Sequence, residues 1–73
     1  MPIQSILFNK NKWTIPKAKE WLKDNKFVIN YSDGQSPRVT RYFLRFRQSS
    51  PKKYKNYITK DIPNGILIIV GYN

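Results

Sequence analysis

Residues 38–48 hold a run of β-branched and aromatic side chains, uninterrupted by Gly or Pro, in which polar and apolar positions alternate. Such a run predicts a strand. Successive side chains of a strand point to opposite faces. Thr40, Tyr42, Leu44 and Phe46 therefore form an expected core face, and Val39, Arg41, Phe43, Arg45 and Arg47 form the other.

The pattern elsewhere predicts the remaining elements. Residues 2–8 read as a first strand, with Ile3, Ser5 and Leu7 on one face and Gln4, Ile6 and Phe8 on the other. Neither face is purely polar, so partial cover on both sides is expected. The period then changes from two to helical spacing, with Ile15, Ala18, Trp21 and Leu22 forming an apolar stripe over residues 15–24. Thr14 suits the N-cap and Pro16 the first turn, where a missing N–H costs nothing. Trp13 precedes the cap and Ala18 is the fourth helical residue, the spacing of a hydrophobic staple. Asn25 is expected to end the helix in a left-handed conformation.

Residues 27–32 alternate again and predict a second strand. The turn cluster at 32–37 would close a hairpin onto the strand at 38–48. Residues 57–62 suit a short strand, Pro63, Asn64 and Gly65 a tight turn, and residues 65–71 a strand apolar on both faces, hence central. The expected fold class is α+β: one helix packed on a small antiparallel sheet of about four or five strands, in a single domain covering residues 1–73.

Size and charge narrow what such a domain can do. With 73 residues, it buries only about 60% of the surface its unfolded chain exposes. Its 40% hydrophobic and 15% aromatic content is nonetheless too apolar for a disordered tail. Fourteen Lys and Arg stand against four acids, Glu20, Asp24, Asp33 and Asp61, for a net charge of +10. Four carboxylates cannot neutralise fourteen cations, so most of the cations must look outward, and a polyanionic partner is the expectation. No leader is expected, because residues 1–8 lack a basic segment followed by a long apolar run. The longest apolar run, residues 66–70, is too short to span a bilayer. An intracellular protein without membrane contact, not a secreted one, is expected.

The candidate chemistry is recognition rather than catalysis. The chain has no Cys and no His, which removes thiolate and imidazole chemistry and the usual zinc ligand sets. Glu20 and Asp24 lie at i, i+4 beside Lys19 and Lys23, where intrahelical ion pairs are the ordinary outcome. No phosphate-cradling glycine loop is present, so neither an enzyme nor a cofactor or metal site is expected. The arginine face of residues 38–48 carries Arg41, Arg45 and Arg47 interleaved with Phe43, which suits a surface that meets phosphates and stacks on bases. Lys52, Lys53 and Lys55, with Tyr54 and Tyr57 between and beside them, make the densest cationic cluster, and Lys10 and Lys12 extend the set. The competing reading of each is a solvated surface. Trp13, between basic residues, suits either base stacking or the staple.

The order of landmarks is itself distinctive: Trp13, Ala18 and Trp21-Leu22, then Arg45-Phe46-Arg47-Gln48 and Pro51, then the apolar tail between Gly65 and Gly71. In this pattern the chain resembles a small uncharacterised family of double-stranded DNA viruses, found in large eukaryotic DNA viruses and as pieces of tailed-phage proteins near prohead protease or capsid genes. The resemblance covers most of the chain. It implies a viral protein of the infected cell, carried in the virion or acting near packaging; DNA is expected ahead of RNA as the polyanion. The leading expectation is a nucleic-acid-binding protein of low sequence specificity. The alternative is a virion structural or interaction module, with a homodimer or another virion protein as partner, whose basic face binds an acidic protein.

Overall fold

The computed structural model describes residues 3–29, 37–49 and 51–73. In chain order these form β1 (Ile3–Asn9), α1 (Ile15–Asp24), β2 (Arg38–Val39), β3 (Phe43–Arg47), a short 3-10 turn (Pro51–Lys53), β4 (Asn56–Ile62) and β5 (Ile66–Tyr72). The five strands make one antiparallel sheet in the order β2-β3-β1-β5-β4, so the fold is α+β, with one α-helix among the described residues. The middle strand is β1. The apolar β5 is internal but lies one place from the edge, because the hairpin partner β4 covers its outer side.

One face of the sheet carries the core. Ile6 and Phe8 of β1, Leu44 and Phe46 of β3, and Ile66 of β5 are buried there against Ala18 and Leu22 of α1. The helix ends follow their residue types. Thr14 caps the N-terminus by accepting from the Lys17 N–H, and Pro16 lies in the first turn. At the C-terminus Asn25 stays at φ −99° and Lys26 takes the left-handed conformation at φ 62°. The Asn25 side chain donates instead to the Trp21 carbonyl at 2.8 Å, so the reversal falls one residue later than the sequence suggests.

Aromatic rings tie the helix to the sheet. Phe8 meets Trp13, Trp21 and Phe46 edge-on at centroid distances of 5.0, 5.6 and 5.6 Å. Trp13 also donates from Nε1 to the Asn64 carbonyl at 2.7 Å, pinning the β4–β5 turn to the start of α1. That turn needs positive φ, supplied by Asn64 and Gly65, both at φ 78°. Trp13 is thus a structural residue with its polar edge committed.

Two expectations about strands are also corrected. Residues 38–48 are not one strand: Thr40 folds the chain back between β2 and β3, its hydroxyl accepting from the Phe43 N–H at 3.1 Å and its own N–H donating to the Phe43 carbonyl at 2.9 Å. This local side-chain chemistry competes with strand extension. Thr40 and Tyr42 therefore leave the expected core face, and Tyr42 is 60% exposed. Residues 27–29 form no strand either. Phe27 stacks on Trp21 at 5.8 Å, and the Gln48 amide pairs with both backbone groups of Val28, at 2.8 and 2.7 Å, in place of a neighbouring strand. The rest of that expected strand, and its turn at residues 32–36, lie outside the described residues.

Candidate nucleic-acid interface

With α1 on one side, no helix among the described residues covers the other face of the sheet, and alternation along each strand assigns its residues. β3 contributes Phe43, Arg45 and Arg47, and β2 contributes Arg38, directly opposite Arg45. From β1 come Ser5 and Leu7, opposite Arg47 and Arg45. From β5 come Leu67 and Ile69, opposite Leu7 and Ser5. The edge strand β4 adds Tyr57, Thr59 and Asp61. The face therefore has a cationic side at β2 and β3 and an apolar middle of half-buried Leu7, Leu67 and Ile69.

A bulge in β1 builds the centre of this face. The register of β1 against β5 shifts between Ile3 and Ser5, so Ile3 packs against the core and Gln4 turns to the open face beside Ser5. Bulges of this kind re-aim side chains. Gln4 and Ser5 are both buried polar residues, and they satisfy each other: the Ser5 hydroxyl donates to Gln4 Oε1. Gln4 is also tied to Ser49, donating from Nε2 to its carbonyl at 3.0 Å. Arg45 completes the group, its Nε donating to Ser5 Oγ and its Nη2 to Gln4 Oε1, each at 3.1 Å.

Both acceptors of Arg45 are neutral, so its charge is held in place without being cancelled. Burial pushes the Arg45 pKa below its ordinary value, the neighbouring charges of Arg47 and then Arg38 push it the same way, and only Tyr57 acts in the opposite sense. Beside the guanidinium is a concavity of about 270 Å³ lined by Gln4, Leu7, Arg45, Tyr57 and Ile69. Tyr57 stands at its rim, 42% exposed.

The other sequence-predicted cations are placed around this centre rather than within it. Arg41 is not on the sheet face. It stands in the β2–β3 turn, exposed, with its guanidinium carbon 5.4 Å from the Tyr42 ring centroid. Lys10 joins it at that end, donating from Nζ to the Thr40 carbonyl at 3.2 Å, and the Lys12 stem lies against Gly65. A second concavity of about 320 Å³, between Lys12, Trp13, Lys17 and Asn64, opens there. Lys52, Lys53 and Lys55 are exposed at the opposite end of β1, where Ser49 donates to the Ile3 carbonyl at 3.2 Å. A strand of seven residues separates the two ends by about 20 Å.

Tyr54 is turned inward, not outward. Its ring lies over Gly71, meets Tyr57 edge-on at 6.3 Å, and its hydroxyl is 3.4 Å from the Ser49 hydroxyl. It supports the wall of the concavity rather than offering a free stacking surface. Phe43 is half-buried on the open face.

Sequence reasoning missed Gln4, Ser5, Leu7, Arg38 and Ile69 as parts of the site. The adjacent polar pair Gln4 and Ser5 inside an otherwise apolar strand was a usable signal; the bulge that turns Gln4 to the side of Ser5 and Arg45 left no signature. Among the described residues, no group of three or more acidic side chains is placed to hold a metal ion, and no helix is long and apolar enough to cross a membrane. No protein-family model matches the chain, and neither a curated protein nor a solved structure matches it. The viral resemblance therefore rests on the sequence pattern alone.

Proposed function

We propose that this chain is a nucleic-acid-binding module of low sequence specificity, a binder rather than an enzyme, working through the helix-free face of its sheet. The observation that carries this reading is the cluster of Arg38, Arg45 and Arg47, in which Arg45 is oriented by neutral Gln4 and Ser5. A guanidinium fixed in this way loses little freedom on meeting a phosphate, and its planar fork suits one. Lys52, Lys53 and Lys55 at one end, and Lys10, Lys12 and Arg41 at the other, extend the field along the sheet. Affinity then comes mainly from counterion release. The reading takes DNA ahead of RNA as the polyanion and, on the viral resemblance of the sequence, the infected cell or the virion as the place of action.

The test is the salt dependence of binding. Neutralising about four to six phosphates gives log K against log salt a slope of roughly −3 to −5, depending on strandedness. A flat dependence contradicts the proposal.

One observation favours a second reading. Half-buried Leu7, Leu67 and Ile69 give the middle of the open face an apolar character that also fits a protein partner with an acidic rim, such as a virion component. Loss of partner capture through substitution of Leu67 rather than of the arginines would point there, and sedimentation would reveal a homodimer.

A further inference from the structure

The open face has a feature that a duplex cannot use. The concavity at Gln4, Leu7, Arg45, Tyr57 and Ile69 holds about 270 Å³, just below the roughly 300–1,000 Å³ of sites that enclose drug-sized ligands. That is room for one flat ring system. In a duplex the bases are paired and stacked, and proteins read their edges with helices or ribbons that enter a groove. A recess in a sheet face offers no such projection. Single strands, by contrast, present unstacked bases that settle on aromatic and apolar side chains.

The recess has the chemistry for a base. Leu7 and Ile69 form an apolar floor, the Tyr57 ring stands at the rim, and the polar groups converge from one side. Arg45 has five N–H donors, of which Nε and one on Nη2 are engaged by Ser5 and Gln4. Among the described residues no acceptor meets its other three. They suit the carbonyl edge of a base or the phosphate next to it.

We infer that the open face selects single-stranded over double-stranded nucleic acid by seating one unstacked base in the recess between Leu7, Ile69 and Tyr57, against Arg45. The inference deepens the proposed function and rests on it. Arg38 and Arg47 flank Arg45 on the β2 and β3 side of the recess and take the neighbouring phosphates.

The experiment compares a 20-nucleotide single strand carrying one 2-aminopurine with its duplex, both titrated with the intact protein at one salt concentration. The expected result is tighter binding of the single strand by at least about tenfold, with a change in 2-aminopurine fluorescence on binding. Tyr57→Ala weakens the single strand by roughly 5- to 150-fold, the range of one lost base stack, and weakens the duplex much less. Tyr57→Phe, which keeps the ring, retains the preference and guards against a folding defect in the alanine variant. Duplex bound as tightly as the single strand, or Tyr57→Ala acting equally on both, overturns the inference and leaves salt-sensitive binding intact. No binding of either strand form overturns the parent reading as well.

Discussion

The guanidinium of Arg45 on β3 donates from Nε to the hydroxyl of Ser5 on β1 at 3.1 Å. Ser5 donates in turn to Gln4 Oε1, which also accepts from Arg45 Nη2. The three side chains form a closed ring of hydrogen bonds at the middle of the sheet. Removing the Ser5 hydroxyl leaves both Arg45 Nε and a buried carbonyl oxygen short of a partner. Ser5→Ala should therefore cost about 1–3 kcal/mol, read from chemical denaturation. It should also weaken nucleic-acid binding although Ser5 carries no charge, because Arg45 loses its orientation.

Arg45 makes a prediction about pH by its direction of shift. Its pKa is lowered in the fold by burial first and by Arg47 and Arg38 next. Folding thus disfavours its charged form, and that penalty is present wherever the group is charged in both folded and unfolded chains. It is relieved only as pH rises through the lowered folded value towards the ordinary one, far on the alkaline side. Arg45 therefore contributes no slope to stability between about pH 6 and 9. A bound anion relieves the penalty instead. Melting temperature should rise with added oligonucleotide at constant pH, by an amount set by ligand concentration over Kd. It should not rise with a neutral polymer.

Gly71 owes its place to Tyr54. A Cβ built there would lie 2.2 Å from Cδ2 of the Tyr54 ring, so the ring must move. Gly71→Ala should destabilise the fold by about 1–3 kcal/mol through overpacking. In a Tyr54→Ala background the same change should cost much less, and the non-additivity in a double-mutant cycle measures the contact.

The lysines at the two ends of β1 should act independently. Replacing Lys52, Lys53 and Lys55 with alanine should weaken binding evenly across sequences and flatten the salt slope by roughly 2 to 3 if each meets a phosphate. Replacing Lys10 and Lys12 should add to that effect without coupling, because the two groups are about 20 Å apart. A titration of both sets and their combination checks this.

The sequence was most legible where one periodicity ran unopposed. Residues 15–24 of the helix, its Thr14 cap and the turn at Asn64 and Gly65 follow directly from local residue types; of the strands on either side of that turn, β4 begins one residue earlier than expected and β5 is shifted by one residue at both ends. It was misleading where a side chain took over a backbone partner's role. Thr40 bonds to Phe43 and breaks a run of strong strand formers into β2 and β3. Gln48 serves the Val28 backbone, so Phe27 and Val28 need no ladder. The candidate site divides along the same line. Arg45, Arg47 and Phe43 share a face because alternation holds within β3. Arg41 departs because alternation stops at the turn, and Gln4 joins because a bulge shifts β1 by one residue.

The most direct test of the central claim is a fluorescence-anisotropy titration of the protein against matched single-stranded DNA, duplex DNA and RNA at two salt concentrations, run in parallel with Arg45→Gln. Salt-sensitive binding by the native protein, weakened about tenfold or more in a variant with an unchanged circular dichroism melt, is the predicted result. Binding that ignores salt, or that Arg45→Gln leaves untouched while the protein stays folded, would contradict it and turn attention to a protein partner for the open face.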